Sequence, residues 1–184
     1  MPGAATAGSV AECAEVSDLL IEAASPAAVP EVLGTAVERG RDCMIMSIGG
    51  LIGRGDLMEK ARNRGIRLML PTGAIAGIDA VKASKIAGIE SATLTTRKAP
   101  ASIKGAPYLR NNDIDVDKIR KETVIFDGNA MEAIKGFPKN VNVSALLSLA
   151  GIGPEKTRVK IIVSPEFTTN SHEIEVKSAS GTVW

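Results

Sequence analysis

Leu19-Leu20-Ile21-Glu22-Ala23-Ala24-Ser25-Pro26 is the stretch from which the fold can be read: a short apolar run that ends in small residues and a proline. Behind it Val29, Val32, Leu33 and Val37 recur at helical spacing until Gly40 stops them. That is a strand followed by a helix. The unit then repeats, with Cys43 to Ser47 as a buried strand, Gly49-Gly50 as the turn, Leu57 to Arg64 as a helix and Ile66 to Leu70 as a third strand. Alternation of this length implies a parallel sheet with right-handed crossovers. Residues 1–72 are therefore expected to form an incomplete, C-terminal half of a doubly wound, Rossmann-like α/β domain. In open α/β sheets, ligands bind at the carboxyl ends of the strands. That rule aligns Ala23-Ala24-Ser25, Ser47-Ile48-Gly49-Gly50 and Thr72-Gly73-Ala74 on one ligand-facing edge, where small residues let a ligand approach the backbone.

Past Leu70 the pattern changes. A small-residue helix is expected over Ala74 to Ala87, then a Thr-rich strand over Ser91 to Arg97, and with them a second domain of α+β type, residues 73–184. Residues Pro100 to Glu122 are polar and read as a long loop with one short helix near Val116 to Lys121. Thr123 to Phe126 reads as a strand and Asn129 to Lys135 as a helix. A second helix over Val143 to Ala150 is expected to start behind Asn142, a good capping residue, and to stop at Gly151. Val159 to Val163 and Ile174 to Val176 complete the set as strands.

Composition excludes several classes of function. A formal charge of +1 and an aromatic content of 3% leave no electrostatic footprint for nucleic acid and few rings for bases to stack on. No apolar stretch approaches the roughly 18 residues a membrane span needs, and Met1-Pro2-Gly3-Ala4 has no signal-peptide character. The expectation is a cytoplasmic protein with neither nucleic acid nor membrane as partner. Cys13 and Cys43 form neither a disulfide framework nor a metal cluster, so both read as free structural thiols and no metal is expected.

His172, in Asn170-Ser171-His172-Glu173-Ile174, is the sole histidine and the best candidate for proton transfer near neutrality. Asn142 could cap its helix or grip a ligand with its amide, and Arg97-Lys98 could clamp a carboxylate. Each has a common structural explanation: an incidental strand-end histidine, an ordinary cap, a solvated basic pair. A complete dinucleotide fold opens with a GxGxxG turn and an acidic residue about 20 positions on. Neither is present here, and the first thirteen residues hold only Gly3 and Gly8 in an Ala-rich stretch.

These stretches resemble the L-aspartate dehydrogenase family. The resemblance is carried by Ile21 to Ser25, Met46 to Leu51, Leu70-Pro71-Thr72-Gly73-Ala74-Ile75-Ala76-Gly77-Ile78-Asp79-Ala80, Leu94 to Lys98, Phe126 to Ala130, Phe137-Pro138-Lys139-Asn140-Val141-Asn142-Val143, Leu147 to Gly151 and Asn170 to Ile174, in family order. It implies NAD- or NADP-dependent oxidation of L-aspartate to iminoaspartate, which hydrolyses to oxaloacetate and ammonia or feeds NAD biosynthesis, in a homo-oligomer. By the same resemblance His172 is catalytic, and Asn142 and either Ala74 or Ala76 contact the cofactor. The ligand-facing edge adds Ala24, Ser47 and Gly49 as cofactor contacts. Arg97, Lys98 and Lys139 are the expected carboxylate partners. Family members begin with the Gly-rich turn and continue past the histidine, so a chain shortened at both ends is expected, with weak NAD binding and an exposed sheet edge. Two alternatives stand beside this reading: a non-catalytic remnant or interaction domain of the family, and a related two-domain reductase near homoserine dehydrogenase or dihydrodipicolinate reductase. The Asn-Val-Asn and Asn-x-His-Glu runs argue against the latter.

Overall fold

Two compact units, Met1–Pro71 and Thr72–Trp184, make up the computed structural model, which describes residues 4–138 and 141–184. The first contains α1 (Val10–Glu15), β1 (Leu19–Glu22), α2 (Val29–Arg39), β2 (Asp42–Ile45), α3 (Gly55–Asn63) and β3 (Leu68–Met69). Its three strands are parallel in the order β1-β2-β3, with Leu20 beside Cys43 and Glu22 beside Ile45.

The amphipathic reading of α2 fits its structure. Val29, Leu33, Ala36 and Val37 are buried along one stripe, a proline sits in its first turn, and Gly40 ends it in the left-handed region at φ 66°. β1 has a matching alternation, with Leu20 and Glu22 buried and Leu19 and Ile21 exposed. Between β2 and α3 lies a 3-10 turn, Ile48–Leu51. There Gly50 is required by close packing: a Cβ would lie 2.5 Å from the Pro26 carbonyl oxygen and 2.6 Å from Val29 Cγ2.

One expectation for this unit needs correction, and one element was not foreseen. The third strand is two residues long, because the Ile66 amide still donates to Ala61 O at 3.0 Å and only Leu68 and Met69 reach the ladder. The Ala-rich N-terminal stretch contains α1, capped by Ser9, whose hydroxyl accepts from the Glu12 amide at 3.1 Å.

The second unit has α4 (Ile78–Ala87), β4 (Ile89–Lys98), α5 (Pro107–Asn111), β5 (Thr123–Asn129), α6 (Ala130–Gly136), α7 (Asn142–Ala150), β6 (Thr157–Val163), β7 (Ser171–Ser178) and β8 (Gly181–Val183). The sheet order is β5-β6-β4-β7-β8, parallel between β4 and β6 and antiparallel elsewhere. Ala92 and Leu94 of β4, Val159, Ile161 and Val163 of β6, and Ile174 and Val176 of β7 are buried. Several of the alternate positions carry exposed or half-exposed charges, including the ion pairs Arg97–Glu173 at 2.9 Å and Arg158–Asp127 at 2.6 Å. Tyr108, Phe126 and Phe137 pack together with ring centroids 5.1 to 5.5 Å apart.

Here too the sequence reading is adjusted. α4 begins at Ile78 rather than Ala74, because Gly73 and Gly77 adopt φ 60° and 78° and hold the intervening residues in turns. Residues 100–122 are more ordered than a loop, holding α5 and 3-10 turns at Pro100–Ser102 and Val116–Lys118. Pro107 opens α5 at a position where its missing N–H costs nothing. β7 is longer than expected and is followed by β8, so His172 lies within a strand rather than in the loop before it.

Among the described residues, no helix is long and apolar enough to cross a membrane, and no group of three His, Cys, Asp or Glu side chains is placed to hold a metal.

Candidate functional site

Thr96 on β4 and His172 on β7 are direct partners across an antiparallel ladder. Side chains so placed stand about 5 Å apart at Cβ, close enough for a hydrogen bond. Thr96 Oγ1 and His172 Nδ1 are 3.0 Å apart. Lys98 lies two positions along β4, hence on the same face as Thr96. Thr96 and Lys98 are each only 5% exposed, whereas His172 is half-buried. Burial, followed by the charge of Lys98, holds the His172 pKa below its ordinary value of 6.5, and burial lowers that of Lys98. Both effects favour the neutral ring.

A different polar centre organises the first unit. Glu22, 1% exposed at the end of β1, accepts four hydrogen bonds. Its Oε1 receives the amides of Ala24 at 2.8 Å and Ser25 at 2.9 Å and the Ser47 hydroxyl at 3.0 Å, and its Oε2 receives the Ser47 amide at 2.9 Å. A buried carboxylate is tolerated when donors satisfy it in this way. The turns after β1 and β2 are thus tied together at the carboxyl edge of the parallel sheet. The Cys43 thiol beneath them is pushed up to about 11, first by burial and then by the Glu22 charge, which makes it inert.

The expected site residues fall into distinct environments. Ser47 is half-buried on the Glu22 centre, Gly49 is buried in the following 3-10 turn, and Ala24 is exposed with its amide fixed. Ala74 and Ala76 are both exposed, flanking buried Ile75 in the turn before α4. Asn142 is exposed and is the first residue of α7 rather than its cap; the cap position is Val141, in the right-handed region and without a side-chain bond. Lys98 shares the His172 face. Arg97 does not: it alternates to the opposite face and pairs with Glu173. Lys139 lies outside the described residues.

Sequence reasoning passed over Glu22 and Thr96. Glu22 could have been noticed as an acid that closes an apolar strand at an inward-facing position, and Thr96 as the inward member of an alternating Thr-rich run.

Comparison with known proteins covers both units. The family described as "Aspartate dehydrogenase, C-terminal" matches residues 79–183, and the one described as "Homoserine dehydrogenase, NAD binding domain" matches residues 1–71. The chain is 43% identical to an L-aspartate dehydrogenase of Bradyrhizobium diazoefficiens over 90% of its own length and 59% of that protein. It is 47% identical to an L-aspartate dehydrogenase of Methanosarcina acetivorans over 89% of its length and 62% of that protein. The chain thus spans about three fifths of these curated relatives. The crystal structure of an aspartate dehydrogenase from Thermotoga maritima superimposes with a TM-score of 0.77 at 29% identity, covering 92% of this chain and 67% of that one. With its C-terminal family pattern running through the strands that carry Thr96 and His172, the chain belongs to the aspartate dehydrogenase family.

Proposed function

We propose that the protein works as an L-aspartate dehydrogenase, interconverting L-aspartate and iminoaspartate with NAD or NADP. The observation that carries this reading is the half-buried, neutral His172 seated on Thr96 beside buried Lys98, in a chain of that family.

The nicotinamide nucleotide, when bound, takes up hydride from the substrate Cα. The carboxyl edge of the parallel sheet fits such a group: exposed Ala23 and Ala24 leave their backbone approachable, and Glu22 fixes the adjoining turns. Ala24, Ser47 and Gly49 are the proposed cofactor contacts in this unit; for the second unit the family resemblance alone proposes Asn142 and one of Ala74 and Ala76. Turnover also requires the substrate carboxylates to be neutralised and a proton to be exchanged near neutral pH. Lys98 is the proposed carboxylate partner on the His172 face, and His172 is the proposed catalytic residue. Arg97, engaged with Glu173 on the other face, has no part in the proposal. Homo-oligomerisation, a cytoplasmic location and a role in NAD supply belong to the same proposal.

An amino-acid panel with NAD and NADP, assayed on the product of the whole reading frame, tests the reading. Reduction of the coenzyme is expected with aspartate ahead of other amino acids. His172→Ala should lower turnover roughly 10²- to 10⁴-fold. No preference for aspartate, or full activity without the imidazole, would count against it. A remnant that kept only the fold would show no turnover at all.

A further inference from the structure

Thr96 has no part in the roles assigned so far, yet it is the only hydrogen-bond partner of His172 among the described residues. Its hydroxyl carries one hydrogen, and the residue is 5% exposed, in a strand whose backbone groups are taken up by pairing with β6 and β7. Two arrangements give a bond of 3.0 Å. Nδ1 could donate to Oγ1, or Oγ1 could donate to Nδ1. The first leaves the buried hydroxyl hydrogen without an acceptor, since Oγ1 has no second partner among the described residues. Leaving a buried donor unmet is unfavourable. The second satisfies the hydroxyl hydrogen and the Nδ1 lone pair together.

We infer that Thr96 is a positioning residue that donates to His172 Nδ1, so that the neutral ring carries its proton on Nε2 and meets its ligand as a hydrogen-bond donor. The partner suited to Nε2–H is a lone-pair-bearing oxygen, such as a carboxylate or the oxygen of water added to an imine. Proton uptake at Nε2 would need the opposite tautomer. The register makes the arrangement durable: Thr96 and His172 are held opposite each other by the ladder, and Thr is stiff at χ1. The low pKa of the ring keeps it in the neutral state to which a tautomer applies.

The inference relies on the dehydrogenase reading only for the nature of the ligand, and its test needs no substrate. His172 is the sole histidine, so a long-range ¹H–¹⁵N correlation spectrum of uniformly labelled protein at pH 8 reports one imidazole without assignment. The expected spectrum shows Nε2 at a protonated shift and Nδ1 at that of an acceptor. Thr96→Val should move both nitrogens toward tautomer-averaged values, and Thr96→Ser should restore the wild-type pattern. If Thr96→Val does not fold, the wild-type and Thr96→Ser spectra still decide. A proton on Nδ1 in the wild type, or identical spectra for wild type and a folded Thr96→Val, would overturn the inference. An Nε2–H ring in a protein that does not oxidise aspartate would sink the dehydrogenase reading and leave this one standing.

Discussion

At the scale of single residues, two side chains with similar surroundings in the sequence end up on opposite faces of the sheet. Arg97 and Lys98 are adjacent and basic, yet strand alternation sends one to an ion pair with Glu173 and buries the other beside the imidazole. This has a consequence for acid stability. Because burial and Lys98 depress the His172 pKa, the unfolded chain binds a proton there more readily than the folded one. The stability associated with the neutral ring is complete above pH 6.5 and is lost as pH falls from there through the lower folded pKa. Thermal melts of wild type and His172→Gln should therefore converge, in the variant's favour, as pH drops through this window. Parallel pH profiles would show that the ring is not held neutral. Glu173 does not offset the effect, since it faces the other side of the sheet with Arg97.

At the scale of elements, the strongest local signals were turns and caps. Asn129 and Glu132 form a capping box at α6: the Glu132 amide donates to Asn129 Oδ1 at 2.9 Å, and the Asn129 amide donates to Glu132 Oε2 at 3.2 Å. Asn129→Ala should cost about 1 kcal/mol in urea unfolding; an unchanged midpoint would mean that the helix is held by packing alone. Gly50 gives a different kind of test. With no left-handed φ to protect, its need for hydrogen is purely steric, and Gly50→Ala must displace the Pro26 carbonyl or Val29. Destabilisation of about 1–3 kcal/mol is expected, together with weaker coenzyme binding if the edge beside it is the nucleotide site.

The same elements show what could be read beforehand. α2 announced itself through Val29, Leu33, Val37 and Gly40 because one apolar stripe and one terminator are local properties. Asn142 was misplaced by one position, since an asparagine before an apolar run looks the same at a cap or one step inside it. The full length of β7 depends on a partner distant in sequence, with His172 opposite Thr96, and no local period encodes that pairing, whereas β8 folds back on β7 through a tight turn that sets Ser178 opposite Gly181. For the candidate site, the identity of His172 was legible from its being the sole imidazole. The hydroxyl beneath it was not, because register is a property of two strands at once.

At the scale of the whole chain, each unit carries its own core and its own polar centre: Glu22 with the turns after β1 and β2 in one, Thr96, Lys98 and His172 in the other. Cysteine chemistry can report on the first unit separately. Cys43 is fully buried with its thiol raised to about 11, while Cys13 is only half-buried. At pH 8 an aromatic disulfide reagent should label Cys13 under native conditions and Cys43 only once denaturant opens the unit. Prompt labelling of both would mean that the parallel sheet opens easily on its own.

The Glu22 centre also fixes the polarity of the surface above it. Ser47 gives both its amide and its hydroxyl hydrogen to the carboxylate, so neither is available to a visiting molecule. What remains on Ser47 Oγ is its lone-pair density. A group that meets Ser47 Oγ must therefore bring its own hydrogen, as a ribose hydroxyl or a carboxamide can.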